Sequence, residues 1–357
     1  MGKVKVGIIG AGTIAEYGHL PYYQENEDVE ITAIVDMNLE RAHKMAVKFN
    51  VANIYSDAEE MFKSSDIDAV SICTSNHAHI PLAKLAIRNG VDVLVEKPIG
   101  TSYQDSLELV RLAETHNRIC MVGMTHRFRN DSQALKEFVE ANSLGEIYYT
   151  KVKILSRRGT PTGWFTDHSK SGGGPLMDIG VHALDLAWWI LGKPEPERIS
   201  GFLKNGIGSF ATKMTSRWQS SSNYNDNNEV FDVEDFAAAF IRFKSGMVMN
   251  LEVSWALNGA KDDAICVDIY GTKGGLSLEP LRFYTEINQF FTESKLDIIK
   301  NDQMKEEINH FVHCVHNRTK PLIPADEGAE VLRMLEAIAE SSRINKEVLL
   351  ETFYQKK

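Results

Sequence analysis

What is scarce in this sequence narrows its function before any motif is read. Four cysteines serve 357 residues, at Cys73, Cys120, Cys266 and Cys314, and no two form a C-x-x-C pair. Three lie in apolar runs, where a free cysteine acts as a small buried hydrophobe, so neither a disulfide framework nor a zinc site is expected. Long apolar runs are missing as well. The longest, such as residues 183–191, are interrupted by charge and fall far short of the roughly 20 residues of a membrane span. The opening MGKVKVGIIGAG runs straight into a domain with no secretory pattern. There is no basic stripe: 39 Lys and Arg stand against 49 Asp and Glu, a net charge of −10. Residues 1–125 carry 11 basic and 17 acidic side chains, so no cationic domain hides in either part. Nucleic acid and membrane are excluded as partners, and a reduced, soluble, cytoplasmic chain is expected.

What is present is a strong alternation. Short β-branched runs at 4–9, 30–35, 69–74, 92–95 and 119–122 have little polar alternation, the mark of parallel strands covered on both faces. Helical stretches at 14–26, 39–49, 58–63, 77–89 and 103–115 separate them. Strand and helix repeated in this way predict an α/β fold whose N-terminal part, 1–124, is a doubly wound domain. Beyond it the rhythm changes. Helix 131–141, strand 147–155 and helix 177–191 precede strands at 197–203, 214–220, 236–243, 247–254 and 266–270, with turns at 243–247 and 271–275. Helices at 302–315 and 325–345 follow. Residues 125–357 therefore read as an α+β domain on an open, mostly antiparallel sheet, with a polar loop at 220–229.

The chemistry-bearing residues fall into two groups. Gly10-Ala11-Gly12-Thr13-Ile14-Ala15 follows the first strand, where glycines permit a tight turn and close approach of a pyrophosphate to the next helix N-terminus. Asp36, at the end of the second strand, suits the adenosine ribose hydroxyls and would repel a 2′-phosphate, although Arg41 is not far off. It equally suits an N-cap. Thr74, Ser75, Asn76, His77 and His79 follow the fourth strand, and Glu96-Lys97-Pro98 the fifth. All converge on the carboxyl edge of a parallel sheet, where ligands bind. A surface ion pair for Lys97 and structural roles for the two histidines are the plain alternatives. The second group is Ser171-Gly-Gly-Gly-Pro-Leu-Met-Asp178-Ile-Gly-Val-His182-Ala-Leu-Asp185, in which Asp178 and His182 share a helix face and Asp185 borders it. His182 is fitted to exchange a proton near neutrality, or to be a satisfied core histidine. Arg157, Arg158 and Trp164 lie in a loop that could meet an anionic substrate. His310, His313, His316 and Cys314 are spread too widely around a helix to form a metal site.

With these residues in hand, the chain resembles the glucose–fructose oxidoreductase / inositol dehydrogenase / rhizopine catabolism family of NAD(P)-dependent oxidoreductases. The resemblance rests on GIIGAGTIA at 7–15, Asp36, CTSNHAHIPLA at 73–83, VEKPIG at 95–100, HRF at 126–128 and SGGGPLMDIGVHALDLAWWILG at 171–192. It implies a Rossmann domain followed by an α+β domain whose open sheet often forms a subunit interface. The catalytic set it implies is Lys97, Asp178 and His182. The cofactor, NAD with NADP as the alternative, would be held by Gly10, Gly12, Thr13, Ile14, Asp36, Thr74, Ser75, Asn76, His79, Glu96 and Lys97. Arg127, Arg157, Trp164, Asp178 and His182 would contact a sugar, inositol or related polyol. A cis peptide before Pro98 is expected, as is a homodimer or homotetramer. The residues leave three competitors: an NAD-using glycoside hydrolase acting by transient oxidation, a non-catalytic cofactor-binding regulator, and a methyltransferase, which neither Lys97 nor the second motif suits.

Overall fold

The computed structural model describes residues 2–208, 230–260, 262 and 264–354. The strand expected at 214–220 and the loop at 220–229 lie outside them. Strands β1 (Val4–Ile9), β2 (Val29–Val35), β3 (Asn53–Tyr55), β4 (Ala69–Ile72), β5 (Asp92–Glu96) and β6 (Cys120–Gly123) form one sheet in the order 3-2-1-4-5-6. Every pair is parallel. β4, β5 and β6 are buried at each position, as their unbroken apolar runs require when helices cover both faces. β1 and β4 are neighbours here, and the strand order reverses between them, so the crevice at their carboxyl ends is the expected ligand site.

The second sheet has nine strands among the described residues. They are β7 (Ile147–Leu155), β8 (Pro196–Lys204), β9 (Phe236–Phe243), β10 (Val248–Ser254), β11 (Cys266–Gly271), β12 (Gly274–Leu278), β13 (Leu281–Ile287), β14 (Phe290–Lys295) and β15 (Val348–Leu349). Their order is 14-13-12-11-7-10-9-8-15, and only β7 and β10 pair in parallel. The sequence reading missed β3, β12 to β15, and the true extent of the sheet edge. Helices Val181–Ile190 and Ala325–Ile344 pack on this sheet, burying Val152, Ile241, Leu251, Val253 and Val267. The opposite face is aromatic: Tyr149 stacks on Tyr270 and Tyr284 on Phe291.

The chain after residue 299 returns to the first sheet. Helix Gln303–Asn317 packs beside residues 15–25, with Tyr22 donating to Asp302 and Asn26 to Asn309. Helix Ala325–Ile344 touches both helix Tyr103–Thr115 and β8, so it braces the two sheets together.

Two expected helices differ from expectation in the same way. Residues 13–25 are helical throughout, but Ala15–His19 is a π-turn. Leu176–Gly180 is another, and regular α-helix begins only at Val181. A π-turn widens the spiral and breaks the four-residue repeat, which periodicity cannot reveal.

Candidate active site

Gly10 sits at φ +95°, and a Cβ there would lie 2.6 Å from the Cys73 carbonyl oxygen, so only glycine brings the β1 and β4 ends this close. Its N–H is spent on the Val35 carbonyl at 2.8 Å. Gly12 accepts from the Glu16 N–H, and Thr13 and Ile14 open the helical chain. This tight turn running into a helix start is a cradle that fits a dinucleotide pyrophosphate.

Asp36 is buried and saturated. Its Oδ2 accepts from the Ala11 N–H at 2.8 Å and Arg41 Nε at 2.9 Å, and its Oδ1 from the Asn38 N–H at 2.8 Å and Arg41 Nη2 at 2.7 Å. The helix N-cap is Asn38, which accepts from the Arg41 N–H, so capping is not the role of Asp36. The guanidinium that the sequence placed merely nearby forms a two-pronged pair with the acid at the end of β2.

The loops after β4 and β5 are locked from behind. Ser75 begins helix Asn76–Arg88 and its Oγ meets His77 Nδ1 at 3.1 Å. Asn76 is buried and donates to the Ser171 carbonyl at 2.7 Å, which ties this loop to the glycine-rich stretch of the second motif. His79 is buried between two carbonyls, Pro98 O at 2.7 Å and Thr74 O at 3.1 Å. Burial drives its pKa down. It is a brace for two loops.

Glu96 is likewise occupied, by His19 Nε2 at 2.9 Å and the Lys97 N–H at 3.1 Å. Burial opposes its ionisation, yet the bond from His19 and the Lys97 ammonium hold its pKa below the ordinary range. The π-turn at Ala15–His19 ends at the histidine that makes this contact. The Lys97–Pro98 peptide is cis, as expected.

Lys97 reaches across to the second motif. Its Nζ donates to Asp178 Oδ1 at 3.0 Å and to the Asp178 main-chain oxygen at 2.9 Å. That carbonyl is available because Asp178 lies in the π-turn, where the usual four-residue bond is displaced. The other carboxylate oxygen accepts from Trp255 Nε1 at 3.0 Å. Asp178 and His182 do not bond to each other: both Asp178 oxygens are engaged by Lys97 and Trp255.

His182 Nδ1 is buried without a partner among the described residues, whereas Nε2 is neither bonded nor buried and is the nitrogen open to a ligand. Burial, then the Lys97 ammonium and His126, push its pKa well below the ordinary value and favour the neutral imidazole. His126 meets it edge to face, with centroids 4.9 Å apart. Burial and Arg129 lower the pKa of His126 to about 4.

Three expected residues lie elsewhere. Arg127 is fully buried; Nε and Nη2 hold Asp185, and Nη1 reaches Glu327 and the Leu322 carbonyl. With four of its five N–H donors engaged and its side chain fully buried, it is out of reach of a substrate, and Asp185 is drawn into the core with it. Arg157 lies in the loop beside residues 254–257, and Trp164 in the short helix Gly163–Thr166 that follows. The Arg157 guanidinium makes no hydrogen bond among the described residues, and Trp164 stacks on Phe165 at 4.0 Å. The four cysteines are buried and form no disulfide, and His310 accepts from the Leu322 N–H. No helix among the described residues is long and apolar enough to cross a membrane.

Sequence reasoning did not single out His126 as a site residue and missed Trp255 altogether. The HRF motif carried the first. The only signal for the second was its place directly after a strand, Val248–Ser254, that ends level with the loop at 156–159.

A glycine cradle at a parallel-sheet switch point, with an imidazole from the second motif beside a lysine from the first, is the arrangement of a dinucleotide-dependent enzyme. Comparison with known proteins gives the family. Residues 4–124 match the model of the oxidoreductase family with NAD-binding Rossmann fold, and residues 132–277 match the GFO/IDH/MocA C-terminal domain. D-glucoside 3-dehydrogenase of Escherichia coli is 30% identical over 351 residues, covering 97% of each chain. Myo-inositol 2-dehydrogenase of Thermotoga maritima is 24% identical, covering 98% of this chain and 99% of its own. Among solved structures, levoglucosan dehydrogenase superposes with a TM-score of 0.82 at 22% identity, over 98% of this chain and 99% of that one. The chain belongs to the GFO/IDH/MocA oxidoreductase family, and it is an NAD(P)-dependent enzyme.

Proposed function

We propose that this enzyme oxidises a secondary alcohol of a neutral sugar, glycoside or inositol, or reduces the matching ketone, with Lys97, Asp178 and His182 as the reacting-centre residues. The observation that carries the reading is the junction of Lys97 with Asp178 at 3.0 Å beside the neutral, open Nε2 of His182. Gly10, Gly12 and the helix start at 13–14 would hold the cofactor phosphates and Asp36 the adenosine ribose. Bound NAD supplies the hydride acceptor.

His182 Nε2 takes the hydroxyl proton, and the Lys97 ammonium stabilises negative charge developing on the substrate oxygen. Asp178, with one oxygen on Lys97 and the other on Trp255, acts by fixing Lys97 rather than by removing a proton. Lys97 and His182 come from the two sides of the cleft, the usual site for a small ligand. Support for the substrate class comes from the relatives named for D-glucosides and inositol.

We also place the domain division at 1–124 and 125–357, the protein in the cytoplasm, and two or four copies in the assembly. The test of the reaction is NADH absorbance with NAD and a panel of sugars, D-glucosides and inositols. Stoichiometric NADH from at least one of them is expected. Glycoside cleavage without net NADH, or no turnover across the panel, would sink the reading.

A further inference from the structure

Trp255 is held by three elements at once. Its residue is 2% exposed and directly follows β10. Its N–H donates to the Asp235 carbonyl at 3.0 Å, and its own carbonyl accepts from the Gly159 N–H at 2.6 Å. Its indole Nε1–H donates to Asp178 Oδ2 at 3.0 Å. Asp178 is therefore anchored at both oxygens, by Lys97 from the first sheet and by Trp255 from the second.

The second anchor matters because an aspartate carboxylate turns easily about its last bond, which has broad, shallow minima. Held only by a flexible lysine, the carboxylate and the ammonium would wander together. Held by an indole that is itself pinned at both main-chain polar groups, they have one place. A bond from a neutral donor to a charged acceptor is among the stronger kinds.

We infer that Trp255 is a positioning residue of the reaction: its indole N–H fixes the Asp178 carboxylate and, through it, the Lys97 ammonium. Its carbonyl ties this arrangement to the loop at 156–159, so that the loop and the reacting centre move as one. The inference rests on the catalytic reading of Lys97 and Asp178 given above.

The test compares Trp255→Phe, Asp178→Ala and the double variant in the full-length enzyme. Trp255→Phe keeps an aromatic ring and removes the donor. Its turnover is expected to fall about tenfold to a hundredfold, the range in which misplaced groups act, with NAD affinity unchanged. In the Asp178→Ala background the same change should cost less than about twofold, because the group it positions is gone. An equal loss in both backgrounds would mean that Trp255 only fills space, and would overturn the inference. If Trp255→Phe melts early, 3-benzothienylalanine at position 255 keeps the bicyclic ring and replaces N–H by sulfur. The same loss is expected, and normal turnover would overturn the inference. Normal turnover of Asp178→Ala would reject the catalytic reading itself, whereas a crippled Asp178→Ala beside a normal Trp255→Phe would reject only the role of Trp255.

Discussion

Lys97 and Arg127 are both cations paired with an aspartate of the second motif, Lys97 from the first domain and Arg127 from within the second, and burial separates their roles. Arg127 is closed off with Asp185 and Glu327, a pair whose disruption leaves a stranded charge. Lys97 and Asp178 each keep part of their side chains exposed, so a ligand can reach them. The same contrast explains what the sequence could disclose. HRF and D-x-G-x-H-x-x-D showed which charged residues mattered, but not that the Arg127 and Asp185 pair would be spent on each other. The place of Asp36 after β2, at the sheet's carboxyl edge, was readable from the sequence. Its two-pronged bond to Arg41, five residues on, was not, because the helix that returns Arg41 to it is a matter of tertiary geometry. That bond predicts the cofactor preference. Asp36 should favour NAD, while Arg41 offsets its charge and offers a guanidinium to a 2′-phosphate. Arg41→Ala should widen the preference for NAD over NADP, by about tenfold in kcat/KM if one charged contact is lost. Asp36→Ala with Arg41 kept should narrow it. Steady-state kinetics with both cofactors check this, and a narrower preference in Arg41→Ala would contradict it.

At the scale of elements, the parallel strands were legible because burial on both faces leaves unbroken apolar runs. The edge strands β13 and β14 were not: Leu281–Ile287 and Phe290–Lys295 are half-exposed or exposed along most of their length and lack a clean alternation. Both π-turns were hidden as well, though each positions a site residue, His19 against Glu96 and Asp178 against Lys97. The helix carrying Asp178 and His182 is also fixed at its start. Glu234 accepts from the Leu176 N–H at 3.1 Å, and Gly174 lies so close that a Cβ would fall 1.9 Å from the Glu234 carbonyl oxygen. Gly174→Ala must therefore push the helix start aside. Turnover should drop about a hundredfold, as for an ångström of misplacement, while NAD affinity holds because the Gly10 cradle is untouched. Calorimetric NAD titration beside turnover decides it; normal turnover would show that the helix start is not fixed by this contact.

At the scale of the whole molecule, the second sheet has one face under its helices and an opposite face bearing Phe202, Tyr270 and, on the edge strand, Phe291, all exposed. Exposed aromatics gathered on one side are characteristic of an association surface. Light scattering at micromolar concentration should give two or four times the 40.1 kDa of the chain, and Tyr270→Arg should lower that mass. A monomer would refute the assembly without touching the chemistry. The proposed chemistry depends on a different whole-molecule property, the meeting of the first sheet's carboxyl edge with His182 from the other domain. His182→Ala separates the two functions most directly. On one sample, NAD affinity should match that of the unaltered enzyme, because Gly10, Gly12 and Asp36 remain. Turnover on the true substrate should fall about 10²- to 10⁴-fold, the usual worth of a positioned acid–base group. A folded His182→Ala enzyme that binds NAD and keeps more than about a tenth of normal turnover would contradict the account, since a loss that small lies below what general base catalysis contributes.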